Sequence, residues 1–512
     1  MQVYAVTGVS PEVQAYAMAK YSRSAQSLRQ SIGELSQAQA EQFLSTFYFQ
    51  YGHRSIADLA HVALAIEDIS ILAAIRVVDE PLWDGQERST RYQDFRRSGF
   101  VTPDAVAASP SAAAYDEAAT ALFAAYHDLS RRLQVTLADE YPCPAEMDAA
   151  AHRRALRARA FDVARYLLPL ATCTSVGQVT SARVLERQIG RLLADPLPEA
   201  RAIGAALGDA CRRPAYDPTR ERITAAVAAL NGDPAAGAVR AATPETAVAP
   251  TLVKYTTPTS FAADSYARLA PVAATLLGRT PVDRTCTVEL GDPAPPEHEA
   301  VATLLYRADR AGHSYRQVQA AVDAMPAAQR TEVLDLAFAG RDRHDEWLRE
   351  LQGGHTLAFD LLLDAGAFRD LHRHRRCVQV VQPFTAEHGY EDAEAIVRAG
   401  LDRAAAAALA GGAATALGSA LAQGQDAART LAQSFPEEAA YLLPLGARVR
   451  ALFKMDLAQA AYVIELRTGV GGHFSYRRVA YQMYEALAAR HPAFARYIRA
   501  TNPAVEVDLL RR

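Results

Sequence analysis

The sequence predicts an α+β chain of two tandem domains in which helices dominate. Three observations support this fold class. The chain has 512 residues, which is more than one hydrophobic core usually supports. The pentapeptide Tyr-Leu-Leu-Pro-Leu occurs twice, at residues 166–170 and 441–445, and indicates an internal repeat. Apolar residues recur mostly at helical spacing, with a few short stretches that alternate as strands do.

A tract rich in Ala, Pro, Gly and Thr, from Gly232 to Thr251, separates the two periodic segments. Such a composition is typical of a connection between domains. We therefore expect a first domain at residues 1–231, a linker at 232–251 and a second domain at 252–512.

Apolar spacing predicts several individual elements. The stretch Ser55–Val78 has helical spacing and is expected to change to a strand near its end. Thr285–Leu290 alternates like a strand and is followed by Gly291-Asp292-Pro293, while Thr356–Leu363 is another apolar run. Near the C-terminus, five residues are expected on one buried helical face: Tyr476, Val479, Ala480, Met483 and Tyr484.

Composition excludes several classes of protein. Half of the residues are hydrophobic and 22% are charged, which is typical of a globular chain. The formal net charge of −4 gives no basic field, so we expect no polymeric nucleic acid as a partner. The start of the chain lacks a secretory pattern, and the Ala/Gly-rich stretch Ala404–Ala422 suits a packed helix, so we expect a cytoplasmic protein without a membrane partner. The five cysteines are scattered and odd in number, which predicts neither disulfides nor a metal site.

The basic run His372–Arg376 follows an apolar stretch that ends at Phe368. If the run is extended, Arg373 and Arg375 point to one face and His374 to the other. Paired guanidinium groups suit an anionic ligand or an electron-rich ring. A solvated basic turn is the alternative interpretation of such a run.

Two further polar clusters stand out in the first half. Gln86–Tyr92 follows an Asp-Gly turn and offers a carboxylate, two hydroxyls and two arginines. These groups can grip a phosphate and a sugar or base, although a polar surface loop is the alternative. In the second cluster, Gly52–Asp58, Ser55 and Asp58 have the spacing of a capping box, which favours a helix start there.

In their order along the chain, these motifs resemble the flavin-dependent thymidylate synthase family. The first half contributes Tyr51–Ser55, Asp84–Tyr92 and Arg165–Pro169. The second half contributes Arg373-His374-Arg375, Tyr441–Leu445 and Leu466-Arg467. The resemblance implies two diverged copies of that family's fold, each helix-dominated with a small antiparallel sheet. It also implies reductive methylation of dUMP at C5, with FAD as cofactor and with methylenetetrahydrofolate and NAD(P)H as co-substrates.

The resemblance further implies roles for individual residues. The catalytic residue would be Arg467, which would polarise the uracil. The flavin would contact Arg373, His374, Arg375, His53, Ser55 and Arg183. The nucleotide would contact Glu87, Ser89, Thr90, Arg91 and Arg165. No metal is implied, and the fused chain is expected to form a homodimer.

Each half departs from the family pattern in a different place. In the first half, Asp79-Glu80-Pro81 stands where the family has Arg-His-Arg, although Arg91 and Arg165 are kept. In the second half, Arg-His-Arg and Arg467 are kept, but the nucleotide loop has become Val381–Thr385. These complementary losses predict one composite site built from both copies. Two alternatives stay open: a flavoenzyme that acts on another uridine nucleotide or heterocycle, and a non-catalytic nucleotide-binding protein.

Overall fold

The computed structural model describes residues 8–19, 54–95, 98–229, 245–254, 256–258, 287–290, 295–308, 320–339, 341, 347, 351, 356–401 and 412–504. Contacts within the chain divide it into two compact units. Unit 1 comprises Met1–Ile69, Arg76–Glu87 and Ser175–Thr280. Unit 2 comprises Ser70–Ile75, Arg88–Thr174 and Pro281–Arg512.

The described residues form helices, short 3-10 turns and short strands. The helices are α1 Pro11–Ala19, α2 Ile71–Val78, α3 Asp104–Ala107, α4 Ala112–Glu140, α5 Ala149–Ala164, α6 Ala182–Leu193, α7 Pro198–Arg212, α8 Pro218–Ala228, α9 Pro296–Ala308, α10 Ala327–Phe338, α11 Ala365–Leu371, α12 Ala393–Gly400, α13 Ala413–Ala432, α14 Leu457–Thr468, α15 Phe474–Arg490 and α16 Pro492–Ala495. The 3-10 turns are Arg54–Asp58, Arg165–Leu167, Ala386–His388 and Glu438–Leu442. The strands are β1 His61–Ser70, β2 Asp84–Glu87, β3 Cys173–Ser181, β4 Val288–Leu290, β5 Leu357–Asp364, β6 Val378–Val381 and β7 Arg448–Met455.

The strands form two small sheets. The first, which lies mostly in unit 1, has the order β1-β3-β2, and β2 runs antiparallel to β3. The second lies in unit 2 and has the order β4-β5-β7-β6, with every neighbouring pair antiparallel. The helix-dominated α+β class with small antiparallel sheets is therefore confirmed. Within the described residues, no helix is long and apolar enough to span a membrane.

The order predicted for Ser55–Val78 is wrong. The segment begins with the 3-10 turn Arg54–Asp58, continues as strand β1 and ends as helix α2. Asp68 explains the helix-like spacing, because its φ of 57° interrupts the alternation of the strand. Ile66 and Ile69 are both buried on either side of this interruption, so their three-residue spacing resembles a helical period.

The other predicted elements are found where the structure describes them. Strand β4 lies within the predicted stretch, whereas Gly291-Asp292-Pro293 lies outside the described residues. The sequence marks Thr356–Leu363 only as an apolar run, and strand β5, Leu357–Asp364, covers most of it. Helix α15 buries four of the five predicted residues, Tyr476, Val479, Ala480 and Met483, on one face, whereas Tyr484 is half-buried.

The two Tyr-Leu-Leu-Pro-Leu segments pair with each other in unit 2. Leu170 N–H donates to the Leu443 carbonyl at 2.9 Å, and Leu445 N–H donates to the Leu168 carbonyl at 2.9 Å. Pro169 and Pro444 form the antiparallel bridge between them. In one hydrogen bond the first segment donates to the second, and in the other the equivalent residue of the second segment donates to the first. This reciprocal pattern indicates a local two-fold relationship.

The matching extends outward from these segments. Ile71 N–H donates to the Thr172 carbonyl at 2.9 Å, and Ala365 N–H donates to the Ala447 carbonyl at 2.9 Å. Each bond joins the first residue of a helix, α2 or α11, to the residue that lies two positions after the pentapeptide. A further pair of matched bonds involves Gly99 and Gly389, whose φ angles of 71° and 73° are left-handed. Their carbonyls accept at 3.1 Å and 2.9 Å from the first residues of β3 and β7.

These matches define two copies of one arrangement. The first copy comprises β1, α2, β2, β3 and α6, and the second comprises β5, α11, β6, β7 and α14. The tandem repeat of the fold is confirmed. The domain boundary at Gly232–Thr251 stays a prediction, because residues 230–244 lie outside the described part of the chain.

Candidate functional site

Arg91, from the polar loop of the first copy, lies buried in unit 2. Its Nε donates to the Asp162 Oδ1 at 3.0 Å, Nη1 donates to the Tyr476 hydroxyl at 3.2 Å, and Nη2 donates to the Gly471 carbonyl at 3.4 Å. Only 7% of Arg91 is exposed. A buried guanidinium needs such partners because an isolated buried charge is costly. Arg91 therefore joins the polar loop to Asp162 of α5 and to Gly471 and Tyr476, which lie before and after the first residue of α15.

His473 is a neutral imidazole at the start of α15. Its Nδ1 accepts from the Ser475 N–H at 3.2 Å, so Nε2 carries the proton and donates to the Asp162 carbonyl at 2.9 Å. Burial, reinforced by the positive charges of Arg165 and Arg91, holds the pKa of His473 well below its usual range. Neutral His473 thus adds no charge to a region that already contains several arginines.

Arg165 has spare hydrogen-bonding capacity. Its Nη1 lies 3.5 Å from the Thr90 hydroxyl and 3.5 Å from a carboxylate oxygen of Asp370. Within the described part of the chain, its buried Nε and Nη2 have no hydrogen-bond partner. Gly366 permits this position, because a Cβ there would lie 3.3 Å from Nη2. Buried donors without partners are uncommon in native proteins, so Arg165 is suited to an anionic ligand.

Arg467, near the end of α14, is held by two aromatic side chains. Its Nε donates to His374 Nε2 at 2.7 Å, and its guanidinium carbon lies 5.3 Å from the centre of the Tyr476 ring. Burial and the charge of Arg467 lower the pKa of His374 to about 3. His374 is therefore a neutral acceptor. Among the described residues, the Nη atoms of Arg467 make no further hydrogen bond.

Tyr476 joins the contributions of the two copies. Its hydroxyl accepts from Arg91 of the first copy, and its ring lies beneath Arg467 of the second copy. The structure therefore brings Arg91, Arg165 and Thr90 into the same unit as His374 and Arg467, with Tyr476 as the direct link between the arginines.

The segment His372–Arg376 is a turn, so the extended geometry considered from the sequence is wrong for it. Helix α11 ends at Leu371, and the N–H of His374 donates back to the Leu371 carbonyl at 3.0 Å. Gln379 fastens the turn, because its Nε2 donates to the His374 carbonyl at 2.9 Å and its Oε1 lies 2.7 Å from His372 Nδ1. His374 is buried within this turn, whereas Arg373 and Arg375 are half-buried.

The remaining predicted site residues all belong to the first half of the chain. Arg183 forms an ion pair with Asp58 at 2.9 Å in unit 1, and Glu87 ends strand β2. The hydroxyl of Ser89 accepts from the Arg91 N–H at 3.3 Å and so helps to shape the loop. His53 lies outside the described residues, and Ser55 lies in the 3-10 turn Arg54–Asp58. The roles predicted for these residues stay predictions.

In the first copy, an ion-pair cluster stands at the position equivalent to Arg-His-Arg. Glu80, which is 4% exposed, accepts from Arg187 at 2.7 Å and from Arg191 at 2.9 Å. When the two copies are matched element by element, Glu80 takes the place of His374 and Arg187 takes the place of Tyr462. In the second copy, the ring of Tyr462 lies 5.8 Å from that of His374. In the ion-pair cluster, the carboxylate of Glu80 accepts from the guanidinium groups of both Arg187 and Arg191.

Three residues of the site were not identified as functional from the sequence. Asp162 and His473 carry no motif that distinguishes them from ordinary helix residues, although Gly471-Gly472-His473 before an apolar run is a recognisable helix start. Tyr476 was predicted only as a buried helical position. Its role depends on the meeting of segments that are 385 residues apart in sequence.

Comparison with known proteins identifies the family. The model of the Thy1 family, described as thymidylate synthase complementing protein, matches residues 5–215 and 350–493. These two segments make up most of the chain and contain the two copies seen in the fold. The chain therefore belongs to the Thy1 family.

Relatives align over nearly the whole chain. A UPF0159 protein of Chlamydia muridarum is 25% identical over 496 residues, which are 93% of this chain and 84% of the relative. A UPF0159 protein of Thermoplasma acidophilum is 23% identical over 525 residues, with 94% of each protein covered. Among solved structures, thymidylate synthase X of Helicobacter pylori, solved with FAD and dUMP, is 16% identical. It matches 42% of this chain and 100% of its own length, with a TM-score of 0.29.

Proposed function

We propose that the protein is a flavin-dependent thymidylate synthase that methylates dUMP at C5, with FAD as cofactor and with methylenetetrahydrofolate and NAD(P)H as co-substrates. Family membership supports the reaction class. The observation that carries the proposal is the meeting of Arg91 and Arg467 on Tyr476. It supports a single composite site in which the first copy supplies the nucleotide loop and the second supplies the catalytic arginine.

The nucleotide phosphate is assigned to Arg165 and the loop that it touches. Arg165 has two buried nitrogens without partners in the described structure, and Thr90 adds a hydroxyl. Arg91 is already held by Asp162, Tyr476 and Gly471, so its principal contribution is to hold the loop in place. A guanidinium can form paired hydrogen bonds with phosphate, which suits Arg165 to this role.

Arg467 is the candidate for polarising the uracil ring. His374 and Tyr476 fix its Nε and its planar face, so both Nη atoms can point at a carbonyl oxygen. Negative charge that develops on this oxygen would be stabilised without reorganisation of the site. His374 has its proton on Nδ1, because Nε2 accepts from Arg467.

The residues around His374 fit a flavin. The neutral His374 offers an N–H donor, and half-buried Arg373 and Arg375 flank it in the same turn. Donors and cations suit the carbonyl-rich edge of an isoalloxazine or its phosphates. When bound, the flavin supplies the hydride-transfer chemistry, and the protein orients the flavin and provides the electrostatic environment around it.

The test begins with flavin content and ends with product analysis. The purified chain should carry flavin absorbance, and it should convert dUMP to dTMP when methylenetetrahydrofolate and NADPH are added. Arg467→Ala should lose activity, whereas Arg398→Ala, which removes an exposed arginine of α12, should keep it.

Each alternative gives a different result. Flavin without dTMP formation would favour an enzyme that acts on another uridine nucleotide or heterocycle. Binding of dUMP without any flavin would favour the non-catalytic nucleotide-binding protein.

A further inference from the structure

Helices α4 and α5 line an open cleft of about 460 Å³ in unit 2. The last turns of α4 contribute Gln134 and Ala138, and the first turns of α5 contribute the other lining residues. Three of these are the arginines Arg153, Arg154 and Arg157. The cleft shares no lining residue with the candidate site for flavin and nucleotide.

The three arginines lie together on the first turns of α5. None of the described residues that line the cleft carries a carboxylate. All three side chains are exposed, and none forms an ion pair or hydrogen bond with another described residue. By contrast, Arg131 and Arg132 of α4 both pair with Asp128, at 3.1 Å and 2.6 Å.

This arrangement does not benefit the fold. Arg153 and Arg157 are four residues apart on one helix face, where like charges destabilise a helix by a few tenths of a kcal/mol. Their guanidinium groups present donors only, with no acceptor capacity. A bound anion would remove the repulsion and satisfy the donors.

The rest of the cleft limits the kind of anion. Leu156 and Ala150 provide apolar contacts, and Gln134 keeps its carbonyl oxygen as an acceptor, because its Nε2 donates to Ser130. The volume lies in the range of small-molecule sites. Binding of a nucleic acid chain would instead require an extended basic stripe, whereas these arginines occupy only two turns of one helix.

We propose that this cleft binds a small polyanion that carries two or more phosphate or carboxylate groups at short spacing. Arg153 and Arg157 hold two of its groups, and Arg154 neutralises further charge. Arginine can donate two parallel hydrogen bonds to two oxygens of either a phosphate or a carboxylate. Experiment therefore decides which of the two groups the ligand carries. The proposal is independent of flavin and dUMP.

The test is calorimetric titration of the full chain with tripolyphosphate and, separately, with a linear triglutamate peptide. The Arg153→Ala/Arg157→Ala double variant should weaken binding of the preferred probe at least tenfold. The matched control is Arg131→Ala/Arg132→Ala, which removes the same charge from α4 and should change binding less than threefold. Both variants should keep the thermal stability of the parent chain, because all four side chains are exposed.

The results separate the possibilities. Preference for tripolyphosphate identifies a phosphate ligand, and preference for triglutamate identifies a carboxylate ligand. Absence of binding by both probes, or equal weakening in the two double variants, would overturn the proposal. Tighter binding of a single-stranded oligonucleotide than of either probe would overturn the small-ligand assignment.

Discussion

At the scale of single residues, Tyr476 contacts two arginines through two different groups. Its hydroxyl accepts from Arg91, and its ring centre lies 5.3 Å from the guanidinium carbon of Arg467 and 5.9 Å from that of Arg91. A phenylalanine keeps the ring contacts and loses the hydrogen bond. A leucine loses both, so the two variants distinguish the contributions.

We expect Tyr476→Phe to weaken dUMP binding about three- to tenfold, because one hydrogen bond to the loop is worth about 0.5–1.5 kcal/mol. Its kcat should change little. Tyr476→Leu should also lower kcat, since a cation–π contact worth about 0.5–2 kcal/mol disappears. Titration of dUMP and steady-state kinetics measure the two effects separately, with Tyr481→Phe as a control on the same helix. Equal losses of affinity and kcat in the phenylalanine variant would contradict this division.

Asp364 gives a pH-dependent prediction. It is buried at the start of α11, where one carboxylate oxygen accepts from the Ala367 N–H at 2.7 Å and the other meets the Ser475 hydroxyl. Burial and the nearby Glu391 raise its pKa from 3.8 to about 6. Because the folded-state pKa exceeds the unfolded value, its stabilising contribution is complete below pH 3.8 and is lost as the pH rises through about 6.

Asp364→Asn should therefore stabilise the chain relative to the parent more at pH 8 than at pH 4. The expected change in the difference is on the order of 2 kcal/mol. Asparagine also caps helices, so the local structure should persist. Urea unfolding at pH 4, 6 and 8 provides the measurement, and parallel pH profiles for the two proteins would refute the role of Asp364.

The sequence predicts residue types better than their conformations. It indicates a functional cluster at Arg373-His374-Arg375, but alternation along an extended strand does not apply to a turn closed by Gln379. His473 and Asp162 could not be found from sequence, because their significance depends on a hydrogen bond between residues 311 positions apart. Long-range contacts of this kind leave no local pattern.

At the scale of elements, the same limit explains strand β1. Its buried residues have the spacing of a helix because Asp68 interrupts the alternation. Helix α15 has no such interruption, and it buries four of the five residues that its spacing places on one face. Regular periodicity is therefore readable from the sequence, whereas a single left-handed residue can change the apparent period.

The turns after α2 and α11 have diverged in chemistry while keeping their place in the copies. In the first copy, Glu80 binds Arg187 and Arg191. In the second copy, the equivalent His374 is neutral and binds Arg467. The first turn is thus closed by two ion pairs, whereas the second is joined to α14 by a hydrogen bond to a neutral histidine.

Glu80→Ala should lower the unfolding free energy by about 1–3 kcal/mol, because it removes two charge-assisted hydrogen bonds. The partial exposure of Arg187 and Arg191, 54% and 31%, keeps the loss moderate. Flavin content should not change, whereas Arg375→Ala should reduce it. Urea unfolding and flavin absorbance test both statements, with exposed Glu117→Ala as the control. Loss of flavin in the Glu80 variant would mean that the first copy also contributes to flavin binding.

At the scale of the whole molecule, the chain contains two paired copies of one arrangement. The repeated pentapeptide predicts the duplication, and the structure adds that the two segments pair with each other. Sequence alone could not predict this pairing, because either segment could equally pair elsewhere. The copies share the hydrogen bonds that hold this pairing and differ in the residues at the proposed ligand-binding positions.

Because only the second copy keeps Arg-His-Arg, we expect one flavin per chain and one dUMP per chain. Absorbance of flavin released from a known amount of protein gives the first ratio, and equilibrium titration gives the second. A ratio of two for either ligand would show that both copies form complete sites, which complementary loss does not allow.

The contact of Arg91 and Arg467 with the same Tyr476 lies within one chain. Arg91→Ala releases the loop and leaves Asp162 buried without its ion-pair partner, so dUMP binding should weaken roughly ten- to a hundredfold. Arg467→Ala should retain dUMP binding and lose turnover. Under the proposed single-chain composite site, each chain supplies both halves of its own site, so a mixture of the two variants should show no more dTMP formation than the sum of the separate proteins. Recovery of activity on mixing would mean that the functional site forms between two chains, and would overturn the single-chain composite site.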